Sequence, residues 1–248
     1  MCGKAVFDIS DAERKEYAPD GGNGFTLPYR LLLPKDAVRK PPLLFYLHGF
    51  GECGTDNEKQ LGVLGGRNKL LDELAARGDC AILAPQCRGV PPEYAWVDIG
   101  NKWSTGSRDS LGEPTVSLRA AAALLSEYIS SGDFDADRVY IVGLSMGGYG
   151  AWEMIARYPG LFAAAVPVCG AGFPGLADRI KHIPVWAFHG VLDDTVPVSG
   201  TRDMETALNA VGGNVRAVYL EGYSHSIWDP AFGTPGLTEW LLSQRRKT

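Results

Sequence analysis

The sequence predicts an α/β fold with a mostly parallel central sheet and helices on both faces. Two patterns point to it: short, near-continuous apolar runs of strand length, and segments of helical apolar spacing that alternate with them through most of the chain. Strands covered on both faces read as unbroken apolar runs, and parallel neighbours need a crossover helix between them. A third observation sets the size. The 248 residues are 45% hydrophobic, with 31 glycines and 16 prolines, which suits one domain whose core needs no disulfide or metal staple.

In chain order, residues 1–24 read as an N-terminal extension, with Asp20-Gly21-Gly22-Asn23-Gly24 as a flexible turn, and residues 25–248 as the single folded domain. Strands are expected at 29–33, 43–47, 81–84, 139–144, 164–168, 185–188 and 215–220, each apolar and as long as a buried strand. Helices are expected at 61–76, 116–129, 146–158, 201–211 and 237–243, where apolar residues recur with helical spacing. Residues 85–114 show no clear period and hold Tyr94, Trp96 and Trp103, which argues for a long loop packed near a site. Only residues 170–183 separate the strands expected at 164–168 and 185–188, too few for a separate cap domain, so none is expected there and a site at the strand ends should be open.

Charge and composition exclude several function classes. Twenty-four Lys and Arg against 29 Asp and Glu give a net charge of −5, and the one cationic run is Arg245-Arg246-Lys247, so nucleic acid is not an expected partner. No apolar stretch approaches the ~20 residues of a membrane span, and no membrane association is expected. The first residues carry acids where a signal peptide needs an apolar run. Five cysteines without a CxxC pair fit no disulfide framework or zinc knuckle, so a reducing cytoplasm is the expected compartment unless a leader has been removed.

In this architecture ligands bind at the carboxyl ends of the strands. After the run Val139-Tyr140-Ile141-Val142 comes Gly143-Leu144-Ser145-Met146-Gly147, then a helical segment. A serine between strand and helix, with glycines two residues away on either side, is the arrangement that lifts a hydroxyl out of a sharp turn. The bland alternative is a glycine-rich strand-to-helix turn. Such a serine needs a base and the base an orienting acid, in the chain order Ser, Asp or Glu, His. Of His48, His182, His189 and His225, only His225 lies beyond both the serine and the next strands. Among the intervening acids only Asp193 and Asp194 directly follow a buried strand, and spacing does not separate the two. An oxyanion hole would come from the backbone N–H of Met146 and a second N–H in the glycine-rich loop His48-Gly49-Phe50-Gly51-Glu52, with Phe50 as donor. A metal hydrolase built on His48, His189 and His225 is the weaker reading, because two of these sit in strand-end His-Gly turns.

LHGFGE, GLSMGG, HGVLDDTVP and GYSHSIWDP, in that order, resemble the α/β-hydrolase superfamily, specifically its small esterase branch with carboxylesterases, feruloyl and acetyl xylan esterases and peptidase-like members. The resemblance spans about residues 25–245. It implies an acid at Asp193, from the pattern HGxxDxxVP, and supports Phe50 and Met146 as oxyanion donors. Relatives often carry arginine where Cys53 stands in HGFGECGTDN. The implied activity is hydrolysis of short-chain or aromatic esters, such as hydroxycinnamoyl or acetyl-sugar esters, through an acyl-enzyme on Ser145, with no metal and no cofactor. Trp96, Trp103, Phe173 and Trp228 are the expected substrate-binding aromatics, and a small-molecule or carbohydrate-linked ester the expected partner. A serine peptidase or amidase is the alternative, although no propeller of the prolyl oligopeptidase type is expected. Dienelactone hydrolases place cysteine where Ser145 stands. A catalytically silent binding protein on the same fold would be expected to lose Ser145, Asp193 or His225, and all three are present.

Overall fold

The computed structural model describes residues 8–19, 24–34, 40–100 and 102–246. Its strands are β1 (Glu13–Tyr17), β2 (Leu27–Leu32), β3 (Leu43–Leu47), β4 (Gly62–Val63), β5 (Gly66–Arg67), β6 (Ala81–Pro85), β7 (Val139–Leu144), β8 (Ala164–Val168), β9 (Val185–Gly190) and β10 (Val215–Leu220). The helices are α1 (Lys69–Arg77), α2 (Val116–Ser130), α3 (Met146–Arg157), α4 (Ala177–Ile180), α5 (Ser199–Ala210), α6 (Trp228–Phe232) and α7 (Leu237–Ser243).

Successive side chains of a strand point to opposite faces, and every residue of β3 is buried, so both faces of the sheet must be covered. Leu43, Phe45 and Leu47 join one apolar cluster with Leu118, Tyr149, Ile155 and Leu208 from α2, α3 and α5. Leu44 and Tyr46 join another with Leu70, Leu74, Phe232 and Leu241 from α1, α6 and α7. The result is the expected α/β layering. Eight strands run in the order β1-β2-β6-β3-β7-β8-β9-β10. Strands β6, β3, β7, β8, β9 and β10 are parallel, and β2 and β1 add an antiparallel edge. The strand order reverses at β3, which lies between β6 and β7, so a crevice opens beyond the carboxyl ends of β3 and β7.

Two expectations are corrected. The helix expected over 61–76 starts only at Lys69, where the Asn68 side chain accepts the amides of Leu70 and Leu71. Ahead of it, β4 and β5 form a hairpin around Leu64 and Gly65, at φ 46° and 79°. Two consecutive left-handed residues are the turn that a two-residue hairpin requires, and glycine at 62, 65 and 66 makes it accessible despite the helical spacing of the leucines. The N-terminal extension is not wholly separate either. Glu13–Tyr17 pairs with β2, and Ile9 and Ala12 are buried in the second cluster. Of the expected turn at residues 20–24, all but Gly24 lie outside the described residues.

The long loop before α2 is packed, as expected. The Trp96 Nε1–H donates to the carbonyl of His48 (3.1 Å), and the Tyr149 hydroxyl donates toward the carbonyls of Trp103 (3.1 Å) and Thr105 (2.5 Å). Arg108 is clamped on the helix behind: its Nη1 lies 2.7 Å from Glu153 Oε2, while Arg157 Nη2 lies 2.7 Å from Oε1 of the same carboxylate. Burial pulls the Arg108 guanidinium below its ordinary range, and Glu153 works against that. Removing one partner of a buried ion pair leaves the other charge uncompensated. Glu153→Ala is expected to destabilise the fold by about 3–5 kcal/mol, read by urea denaturation. A loss below about 1 kcal/mol would mean that the clamp is dispensable.

Candidate active site

Ser145 follows β7 directly and adopts φ 54°, ψ −115°, a conformation that L-residues avoid. The surrounding backbone over-determines it. The Ser145 N–H donates to the Val168 carbonyl (2.8 Å), and its own carbonyl accepts the Tyr149 N–H (3.0 Å), so the residue joins strand and helix without slack. A Cβ on Gly143 would overlap the Gly147 carbonyl, and one on Gly147 would overlap the Leu47 carbonyl, so glycine alone fits either place.

Three strand ends converge on this hydroxyl. The Ser145 Oγ lies 2.8 Å from His225 Nε2, and His225 Nδ1 lies 2.7 Å from Asp193 Oδ2. Ser145 leaves β7, Asp193 follows β9 and His225 follows β10. The geometry separates the two neighbouring acids: Asp194 points outward and accepts the Ser224 hydroxyl (2.9 Å), whereas the Asp193 side chain is fully buried. Oδ1 of Asp193 accepts the amides of Thr195 (3.0 Å) and Val196 (2.8 Å). Burial alone would push this carboxyl up, but hydrogen bonds from His189, His225 and the Val196 amide hold it well below the usual carboxylate range.

His189 was expected only as part of a strand-end turn, and its contact with the acid was missed. It is fully buried, with Nδ1 2.7 Å from the Thr201 hydroxyl and Nε2 3.0 Å from the Val196 carbonyl and 3.2 Å from Asp193 Oδ2. Two acceptors around Nε2 place a hydrogen there, so this imidazole supports Asp193 from behind. The HG of HGVLDD was its only sequence signal. His48 has the matching place after β3. Its Nδ1 lies 2.6 Å from the Gly49 carbonyl, its Nε2 accepts the Cys87 amide (3.1 Å), and burial pulls its pKa down to about 4, so it is neutral.

Phe50 opens a single 3₁₀ turn after β3 and Met146 opens α3, so neither amide has an acceptor within its own helix. No other partner for either is found among the described residues. Phe50 comes after β3, and Met146 comes after β7 with Ser145 between, and these two strands flank the crevice. A cleft of about 240 Å³ lies there, lined by Phe50, Leu64, Trp103, Leu144, Thr195 and Trp228 around Ser145 and His225. Of the four expected substrate-binding aromatics, Trp103 and Trp228 line it. Trp103 meets the Phe50 ring (5.7 Å), and Trp228 meets the His225 ring edge-on (6.1 Å). Trp96 and Phe173 do not line it. Trp96 is fully buried beneath the His48 turn, and Phe173 is buried with the Arg108 guanidinium 4.1 Å from its ring centre, so both are packing residues. Leu64, Leu144, Thr195 and Glu52 line the cleft and were not anticipated: Glu52, Leu144 and Thr195 lie within the quoted motifs but carry no recognisable chemical signal there, and Leu64 lies in no motif.

Among the described residues, two groups bring possible metal-ligand atoms within 4.8 Å of one another: His48 with Cys53 and Cys87, and Cys169 with His189 and Asp193. In both, the imidazole nitrogens are already engaged by the protein. Cys53 has its Sγ 3.8 Å from that of Cys87.

The chain belongs to the alpha/beta hydrolase family, which it matches over residues 44–242. It is similar to a solved structure described as a thermostable esterase, with 36% identity and a TM-score of 0.83 over 96% of this chain and 64% of that one. It is also similar to Putative esterase NocK of Nocardia uniformis subsp. tsuyamanensis, 27% identical over 76% of this chain and 52% of that protein. A second curated relative, an uncharacterized secreted protein of Arthroderma benhamiae, is 29% identical over 80% of this chain. The chain spans about half the length of the first of these curated relatives and 23% of the second. The acylaminoacyl peptidase of Pyrococcus horikoshii, at 15% identity and a TM-score of 0.63, shares the fold. No helix among the described residues is long and apolar enough to cross a membrane.

The Asp193 environment has a consequence for stability. A carboxyl held below its ordinary value of 3.8 stabilises the fold above that pH, and the contribution is lost as pH falls through the lower folded value. Asp193→Asn is therefore expected to unfold about 1–3 kcal/mol more easily than the parent at pH 7, with the gap narrowing below pH 4. Urea titrations at pH 7 and pH 3 measure it, and a gap that widens in acid contradicts the assignment.

Proposed function

We propose that this chain is a serine carboxylesterase that hydrolyses short-chain or aromatic esters through an acyl-enzyme. The observation that carries the reading is the continuous hydrogen-bond relay from Ser145 Oγ to His225 Nε2 (2.8 Å) and from His225 Nδ1 to Asp193 Oδ2 (2.7 Å). Ser145 Oγ attacks the ester carbonyl carbon and its proton passes to His225 Nε2. The negative charge that develops on the carbonyl oxygen is received by the amides of Phe50 and Met146. The carbon–alkoxide bond then breaks, and His225 returns the proton to the departing alcohol. Water repeats the sequence on the acyl-enzyme, giving up its proton to His225 and releasing the acid and free Ser145. Asp193 remains ionised throughout, holding the imidazole orientation and stabilising the imidazolium.

Ester rather than amide substrates are supported by the 36% identical esterase structure, and a small apolar cleft with aromatic walls at Phe50, Trp103 and Trp228 suits a short-chain or aromatic ester. In side-by-side assays of acetyl, butyryl and octanoyl p-nitrophenyl esters, methyl ferulate and an aminoacyl anilide, an ester is expected to be turned over fastest. Preference for the anilide would replace this reading with a peptidase. Ser145→Ala is expected to reduce p-nitrophenyl acetate turnover by about 10⁴-fold or more, and near-parental turnover would sink the mechanism. Asp193→Asn should cost far more activity than Asp194→Asn, because only Asp193 orients the imidazole. Equal losses would remove Asp193 from its role.

A further inference from the structure

We propose that Leu64, at the tip of the β4–β5 hairpin, is a specificity-determining residue that limits the length of the acyl chain the cleft accepts. The proposal rests on the serine esterase reading and specifies which substrates that site takes. Four observations carry it. Leu64 is 64% exposed, the most solvent-open of the large exposed hydrophobics among the described residues, yet it lines the cleft of Ser145 and His225. It holds φ 46°, which the two-residue turn imposes and at which glycine or asparagine is the favoured residue, so the chain carries a leucine where the turn itself favours another side chain. The carboxylate of Glu52, itself 2% exposed, accepts the Leu64 amide at 2.7 Å and pins the hairpin tip to the turn that carries Phe50. A Cβ on Gly51 would meet Leu64 Cδ2 at 2.5 Å, so the absence of a side chain at 51 makes room for this leucine.

The position of Leu64 assigns the part of the substrate it meets. The leaving alcohol must face His225 Nε2 to collect its proton, which gives it the His225–Trp228 side of the cleft. The oxyanion faces the Phe50 and Met146 amides. The walls of Trp103 and of Leu64 are left for the acyl chain, and the Leu64 wall is the one that borders a further cavity, so a lengthening chain is directed along Gly51 and Leu64. Beyond Leu64 a second cavity, of about 600 Å³, continues along Glu58, Lys59 and Gly66 and shares Gly51, Glu52 and Leu64 with the first. Leu64 thus divides a small apolar cleft from a larger space, and a chain that fills the first meets its side chain end-on.

The test uses the intact protein and p-nitrophenyl acetate, butyrate and octanoate, with methyl, butyl and octyl acetate as a parallel series in the alcohol. In the parent, kcat/KM is expected to fall from butyrate to octanoate. Leu64→Gly, which suits the backbone angle, is expected to raise the octanoate-to-acetate ratio about tenfold or more, with the octyl-to-methyl ratio in the alcohol series unmoved. Leu64→Ala, no more strained at this φ than leucine, should shift the ratio the same way and covers the case of a poorly folded glycine variant. An acyl ratio unmoved in both variants, or a shift confined to the alcohol series, overturns the assignment. No ester turnover by the parent is instead the failure of the esterase reading, and it is recognisable before any variant is made.

Discussion

Everything in the site depends on how tightly α3 turns away from β7. The first turn of the helix rests on the end of β3 so closely that Gly147 faces the Leu47 and His48 carbonyls with no space for a side chain, and Gly143 faces Gly147 in the same way. That contact forces Ser145 into a left-handed conformation, at a cost of order 1–3 kcal/mol. The cost is sustainable because every residue of β7 and nearly all of α3 is buried. What the strain produces is proximity. The Ser145 hydroxyl is lifted into the cleft beyond the strand ends, beside the turn that Phe50 opens after the neighbouring strand β3.

Two histidines that do not touch the serine hold the loops around it. His48 ties the turn after β3 to the chain after β6, donating to the Gly49 carbonyl and accepting the Cys87 amide. His189 ties the loop after β9 to α5 through Thr201 and to Asp193 through Nε2. Buried imidazoles are costly when charged, and His48 is neutral for that reason. Asp193 is the converse case. Its buried charge is sustained by two amides and two imidazoles, which together outweigh the desolvation that opposes it.

The parts of this arrangement that are local in sequence were legible there. Apolar runs marked seven of the eight strands of the large sheet, and Ser145 and His225 followed from a glycine-flanked serine and chain order. Asp193 and Asp194 stayed equivalent by spacing, since what separates them is the direction each side chain takes after a shared turn. Only the resemblance to esterases chose between them, and the Val196 amide shows the physical basis of the choice. Tertiary partners hid the rest. Glu13–Tyr17 reads as solvated chain because an edge strand with polar side chains has no apolar signature. Trp96 and Phe173 look like cleft aromatics until the His48 carbonyl and the Arg108 guanidinium claim them. The hairpin at 62–67 was lost in the helical spacing of Leu61, Leu64 and Leu71, although its glycines were visible.

The two walls of the cleft are consequently held in different ways. On the Trp103 side, the loop is fastened through Tyr149, the buried Glu153 with two arginines, and the Trp96 indole beneath His48, so a change there propagates into α3 and the core. On the Leu64 side, the wall is a two-residue turn on two-residue strands, tied to the Phe50 turn through one carboxylate–amide bond. Val63 anchors this hairpin in the second apolar cluster, but the exposed Leu64 side chain at its tip can change with little disturbance to the sheet, whereas the Trp103 loop is braced against α3. A cleft built this way keeps its chemistry on rigid elements and leaves its substrate limit on an exposed side chain that can vary with little disturbance to the fold.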